Sequence, residues 1–275
     1  MAASTASPTR QPTLFIPHGA GPCFFMDWNP PRAWDAMAAF LRSLPDLLPT
    51  RPRAIVVASA HWRAPQPCIG AQAAPGLLYD YHGFPPHTYA LTYPAPGAPQ
   101  LARQMHELLA GAGFEAVLDT ERGLDHGVFI PLMLAFPQAD IPVLPLSLLS
   151  SLDADAHLRL GRALAPLRDD NVLIIGSGMS YHNMHGHGSA YWTGVAEAFD
   201  QWLLQALSLP AAERWAALAD WERASGPAGR LAHPPGAEEH LLPLHVALGA
   251  AGDDAATRVY AERLLTVDVS AFRFG

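Results

Sequence analysis

The chain of 275 residues contains no lysine, so all seventeen of its Lys-plus-Arg positions are arginine. That absence removes Schiff-base chemistry on a lysine amine and the lysine of a phosphate-binding P-loop. Charged residues are scarce at 15%, the net charge is −8, and no basic stripe runs along the chain. Nucleic acid is therefore not an expected partner. Cysteine is equally scarce. Cys23 and Cys68 are too few for a disulfide framework and form no CxxC pair, which fits a reduced, cytoplasmic setting. No apolar run approaches the about 20 residues that a membrane span requires, so no membrane partner is expected either. Dinucleotide, nucleophile-elbow, HExxH and Walker signatures are also missing.

Half of the residues are hydrophobic, enough for a sizeable core. The polar opening MAASTASPTRQPT reads as a disordered lead over residues 1–12, followed by one domain over 13–275. Short apolar runs at Leu14–Ile16, Ala54–Ala58, Val143–Leu146 and Val172–Ile175 predict buried strands. Helical patterns cover Trp34–Leu44, Ala98–Ala112, Leu152–Leu167, Glu197–Leu207, Ala211–Arg223 and His240–Gly249. Strands alternating with helices predict an α/β layered fold. The Pro- and Tyr-rich stretch Tyr79–Pro99 lacks periodicity, as a flap over a site would. Ala224–Pro235, rich in Gly and Pro, reads as a surface loop.

Thirteen histidines are present, and three stand just past predicted strands. His18 follows Leu14–Ile16, His61 follows Ala54–Ala58, and His182 follows Val172–Ile175 through a Gly176-Ser177-Gly178 turn. Ligands of open α/β sheets bind beyond the carboxyl ends of strands, so these imidazoles are candidates for one shared site. Neutral imidazole suits Fe, Zn, Cu and Ni. His240 opens a late apolar helix after Glu238 and Glu239, and either His240 or the adjacent carboxylate is a candidate fourth ligand. His126, flanked by Asp125 and Gly127, is a candidate acid or base, since free histidine titrates near neutrality. His185 and His187 read as a mobile polar loop, and His233 as a candidate pocket residue near His240.

Taken in order, PHGAGP at 17–22, SAHW at 59–62, YDYHGFPPHTYALTYPAPG at 79–97 and GLDHGVFIPL at 123–132 form a set. ADIPVLPLSL at 139–148, VLIIGSGMSYHNM at 172–184 and EEHLLPLHVALGA at 238–250 complete it. Together they resemble the class III extradiol ring-cleavage dioxygenases, in the branch similar to DOPA 4,5-dioxygenase, across nearly the whole chain. The resemblance implies a single α/β domain of three layers, α/β/α, around a mixed central sheet, so that residues 13–275 would be a catalytic domain. It implies one divalent metal held by His18, His61 and His240, with His182 a further ligand or catalytic neighbour and His126 the acid/base. Fe(II) is implied for turnover, Zn(II) is an alternative bound ion, and O2 is the co-substrate. One departure is visible, since His-Gly-Ala-Gly-Pro stands where His-Gly-Ser-Pro is more familiar.

The implied reaction inserts both atoms of O2 into a catechol-type ring and opens it to a semialdehyde. Phe84, Tyr89 and Tyr93 are candidates for the wall of the ring pocket. Two other readings are a zinc hydrolase on a similar scaffold and a metal-binding protein without turnover. The sequence leaves homo-oligomer formation open.

Overall fold

The hydrophobic strands gather into one eight-stranded mixed sheet in a computed structural model that describes residues 10–275. The strands are β1 Thr13–Pro17, β2 Ala54–Ala64, β3 Cys68–Gly70, β4 Val117–Asp119, β5 Val143–Leu149, β6 Val172–Gly178, β7 Ala256–Leu264 and β8 Val267–Phe274. Their order is β4-β3-β5-β2-β6-β1-β8-β7. The inner strands β5, β2, β6 and β1 pair in parallel, whereas β8 lies antiparallel to β1 and β7 antiparallel to β8. The four inner strands are the four apolar runs legible in the sequence. Every residue of β1, β5 and β6 is buried, as expected for strands covered on both faces.

The helices are α1 Asp35–Arg42, α2 Pro99–Gly111, α3 His126–Ala135, α4 Ala154–Leu164, α5 Ala190–Ser208, α6 Ala211–Ala219, α7 Trp221–Ala224, α8 Pro227–Ala232 and α9 Leu242–Ala251. Side-chain alternation in the strands shows that helices cover both faces. Thr13 Oγ1 donates to Ala247 O of α9 at 2.8 Å, and Gly176 faces Pro243 of the same helix. On the opposite face, Ser177 Oγ donates to Gly127 O of α3 at 2.5 Å, and Ser59 Oγ donates to Asp125 at 2.7 Å. Both α3 and α9 are apolar around their circumference and almost wholly buried.

Three expectations change here. Gly176-Ser177-Gly178 is not a turn but the end of β6, because its glycines admit another backbone. A Cβ on Gly176 would lie 2.0 Å from Pro243 O, and one on Gly178 would lie 2.1 Å from His240 O. Likewise β2 runs past His61 to Ala64, with its register against β5 shifting between Ala58 and Arg63. His61 sits inside that irregularity. Within Ala224–Pro235, residues Pro227–Ala232 form helix α8 rather than loop, with proline at its first position. Of the lead expected over 1–12, residues 1–9 lie outside the described residues. Gln11 is fully buried, and its amide donates to Thr50 O at 2.9 Å and Asn171 Oδ1 at 2.6 Å.

Helices α4 and α9 cross through paired glycines. A Cβ on Gly161 would meet Val246 O at 2.0 Å, and one on Gly249 would meet Leu158 O at 2.0 Å. Overpacking of this kind costs about 1–3 kcal/mol. Gly249→Ala is expected to lower unfolding stability by that amount in urea titrations, whereas Gly111→Ala, with open space around its Cβ position, is not.

Three histidines away from the main cluster are structural. His157 Nδ1 donates to Asp153 O at 2.6 Å while its Nε2 accepts from Leu149 N at 3.0 Å. Burial lowers His157 and His245 to about 4 and His233 to about 3. A folded-state value below that of the unfolded chain means that unfolding takes up protons as pH falls below 6.5. Stability is therefore full above that point and is lost towards pH 4, by about 2 kcal/mol per histidine at about pH 5. Denaturation midpoints measured from neutral pH downwards should fall over this range, with a shallower slope in His157→Gln.

Candidate metal centre

Five imidazoles meet where β1, β2 and β6 end and α3 and α9 begin. His18 follows Pro17 at the end of β1, and its backbone N–H donates to Gly178 O of β6 at 3.3 Å. His61 enters from the irregular stretch of β2, and His126 is the first residue of α3. His240 closes a short 3-10 turn, Glu238–His240, and its carbonyl accepts from Met179 N at 2.9 Å. His182 lies four residues beyond β6, with its N–H donating to Ala232 O at 3.0 Å. The sequence-derived residues His18, His61, His126, His182 and His240 are thus all in one place.

The separations sort them. Ring centroids of His18, His61 and His240 lie 4.8, 4.9 and 5.2 Å apart pairwise. The Nε2 atoms of His18 and His61 face each other at 3.0 Å. His126 lies over His61 with centroids 3.8 Å apart. His182 is stacked on His240 at 3.4 Å with planes 16° apart. Ligand-capable atoms form two groups spanning no more than 4.8 Å each, His18 with His61 and His126, and His182 with Glu239 and His240.

Each ring has an oxygen on its Nδ1 side. Ser177 Oγ, whose only proton goes to Gly127 O, lies 3.2 Å from His18 Nδ1 and so accepts from it. That leaves the lone pair of His18 on Nε2. Asp80 Oδ1 accepts from both the Nδ1 and the backbone N–H of His126, at 2.8 and 2.9 Å. Its Oδ2 lies 3.8 Å from His61 Nδ1. Glu239 Oε1 accepts from His240 Nδ1 at 2.9 Å and lies 3.9 Å from His182 Nδ1. His182 Nδ1 and Glu239 Oε2 are both buried without a hydrogen-bond partner.

The electrostatics favour neutral rings. Burial, reinforced by neighbouring imidazoles, holds His18 and His240 well below the ordinary histidine range. Burial and the neighbouring His126 take His61 down to about 3, and burial takes His182 to about 4. Burial also raises the Glu239 and Asp125 carboxyls. Burial alone would raise Asp80 too, but the bonds from His126 hold it below its usual value. Neutral imidazoles grouped this closely could hold a cation.

A cavity of about 410 Å³ opens from this cluster. Phe84 lines it, as expected, but Tyr89 and Tyr93 do not. Tyr93 is buried with its hydroxyl donating to Phe136 O at 3.1 Å, and Tyr89 packs behind Tyr81. The other walls include Trp28, Met179 and the β7–β8 hairpin, of which only Met179 fell within a segment singled out in the sequence. Asp80 was also missed, because its role depends on a chain path that no periodicity reveals. His233, a candidate pocket residue, is instead fully buried with Nε2 donating to Ser180 O at 3.0 Å. His185 and His187 are exposed.

A larger depression of about 700 Å³ lies across Trp28 and Trp34, around Asp27, Arg32 and Asp35, and contains none of the imidazoles. The smaller cavity is the one that reaches the chemistry.

Comparison with known proteins agrees with this geometry. A family described as the catalytic LigB subunit of aromatic ring-opening dioxygenase matches residues 12–272. A 4,5-DOPA dioxygenase extradiol of Beta vulgaris is 43% identical over 88% of each chain. A protein of that name from Escherichia coli is 37% identical over 89% of this chain and 86% of its own. The dioxygenase tasH of Hapsidospora irregularis is 35% identical over 96% of this chain and 85% of its own. Among solved structures, an uncharacterized protein of Escherichia coli K12 superposes with a TM-score of 0.76 at 32% identity, covering 97% of this chain and all of that one. These relatives give no support to the hydrolase or non-catalytic readings. The chain belongs to the LigB family of aromatic ring-opening dioxygenases and is an extradiol ring-cleaving enzyme.

Proposed function

We propose that His18, His61 and His240 hold one divalent metal, Fe(II) in the working enzyme, and that His126 and His182 move protons for cleavage of a catechol-type ring. The observation that carries this division is the set of ring separations. Imidazoles that bind one ion through Nε2 at about 2.1 Å hold their ring centres roughly 4.5–5.2 Å apart, between right-angled and tetrahedral arrangements. His18, His61 and His240, at 4.8, 4.9 and 5.2 Å, fall within that range. His126 at 3.8 Å from His61 and His182 at 3.4 Å from His240 are too close to share the ion with those neighbours. Although His18, His61 and His126 also form a compact group, the ring spacing therefore favours His240 as third ligand. Glu239, bonded to His240 Nδ1, acts as the orienting carboxylate.

The bound metal would supply Lewis acidity towards the two catechol oxygens and a redox route to O2. The protein supplies the rest. His182, held neutral by burial, lines the cavity and takes a proton from a catechol hydroxyl. Its imidazolium would then lie beside Glu239 Oε1. His126 is fixed through Nδ1 by Asp80, so its Nε2 is free to accept a proton, and the Asp80 carboxylate stabilises the resulting cation. That pairing makes His126 the group able to return a proton once the ring has opened. The cavity wall beside these groups is largely apolar.

Fe(II)-loaded protein is expected to consume one O2 per catechol and form a yellow semialdehyde, whereas the zinc form, having no redox chemistry, takes up none. No O2 consumption with any catechol would refute the reading. In variants, His126→Gln and His182→Gln should keep the metal by elemental analysis and lose about 10²–10⁴ in kcat. His18→Gln, His61→Gln and His240→Gln should lose the metal itself. Metal retained in His240→Gln and lost in His182→Gln would reverse the assignment.

A further inference from the structure

We infer that the ring-cleavage site is built for a catechol bearing an uncharged, apolar substituent, and that Leu265, at the tip of the β7–β8 hairpin, is a specificity-determining residue. The inference rests on the proposed function and concerns the substrate class of that same site.

Two observations carry it. The first is the chemistry of the wall. Beyond the imidazole cluster, the cavity is bounded by Trp28, Phe84, Met184, Leu265 and Val267, and among the described residues no arginine, aspartate or glutamate lines it. The one wall side chain outside the cluster able to carry positive charge is His187, which is exposed at the rim and lies edge-on to Tyr181. The Tyr181 hydroxyl is already donated to Gly186 O at 2.6 Å. The carboxylates behind the site, Asp80 and Glu239, have the wrong sign for an anionic substituent. Apart from His187 at the rim, an amino-acid or carboxylate tail entering here would lose water without meeting a cationic side chain on the wall.

The second is the backbone at Leu265. Strands β7 and β8 are joined by the two residues Leu265 and Thr266, with Leu264 opposite Val267. Both turn residues have positive φ, 46° and 86°. Such a turn ordinarily selects Asn-Gly or Asp-Gly, since a left-handed conformation is costly for a bulky side chain. The turn is anchored, because Thr266 O accepts from Thr193 Oγ1 at 2.9 Å and Thr266 Oγ1 accepts from Gly188 N at 2.9 Å. A leucine retained at a position that favours asparagine or glycine, with its side chain on the cavity wall, is strain kept where it meets a ligand. Met184, 71% exposed at the same rim, extends the apolar lip outward.

The test compares 4-propylcatechol with 3,4-dihydroxyphenylalanine and 3-(3,4-dihydroxyphenyl)propionate. Binding is read anaerobically from tryptophan fluorescence on the zinc-loaded protein, and turnover from O2 uptake on the Fe(II)-loaded protein. We expect 4-propylcatechol to lead in both, by about 10²-fold in kcat/KM. Leu265→Asn should lower the ratio of kcat/KM for 4-propylcatechol over unsubstituted catechol about tenfold, as loss of an apolar contact does. Its melting temperature should hold or rise, which a merely structural leucine would not allow. Equal or better binding and turnover of either carboxylate-bearing catechol would overturn the inference, as would an unchanged ratio in Leu265→Asn. If no catechol supports O2 uptake, the ring-opening reading fails, and the binding order alone still decides the chemistry of the wall.

Discussion

Five imidazoles lie within a few ångströms of one another; burial holds His18, His61, His182 and His240 below the ordinary histidine range, and most of the rings are anchored from behind. Ser177 holds His18, Asp80 holds His126 and flanks His61, and Glu239 holds His240 and flanks His182. Without those oxygens the rings would rotate, and without burial they would charge and repel one another. The remainder of the fold can be read as what delivers these oxygens and rings to one point. Ser59 and Ser177, neighbours in register on β2 and β6, tie the sheet to the start of α3, where His126 begins. Gly176 and Gly178 admit the His240–Pro243 backbone on the opposite face of β6. The centre is thus supported from both sides of one strand.

How much of this was legible in the sequence depended on the range of the signal. Inner strands buried on both faces are continuous apolar runs, so β1, β2, β5 and β6 stand out, and His18, His61 and His182 follow from their position near strand ends. The edge elements are different. Strands β3 and β4 are three residues each, and β7 is largely exposed, with Arg258, Glu262 and Arg263 among its nine residues, so none has a hydrophobic pattern to betray it. Helix α3 carries proline at position 131 and apolar residues on every side, so its periodicity is erased by burial. Asp80 and Leu265 act through tertiary placement alone. Glu239 was recognised as a rival ligand, and its bond to His240 Nδ1 suits an orienting role better.

The departure at His-Gly-Ala-Gly-Pro also finds a physical reading. Gly19 and Gly21 both have positive φ, at 81° and 53°. A Cβ on Gly19 would come within 2.6 Å of Cys23 Sγ, and one on Gly21 within 3.1 Å of the Phe84 ring. The loop after the first histidine is therefore folded tightly beneath the cavity, with the aromatic wall resting directly on backbone. A side chain at Gly21 would press on Phe84, and one at Gly19 on Cys23 and Phe24.

The pairing of β1 with both β6 and β8 has a consequence for the order of assembly. Thr13 lies opposite Ile174 on one side and Phe274 on the other, so the first strand of the domain completes its hydrogen bonds only with the last. Contacts so distant along the chain form late and slowly. The hairpin that bears Leu265 is also the last element to be synthesised, after His18, His61, His126, His182 and His240.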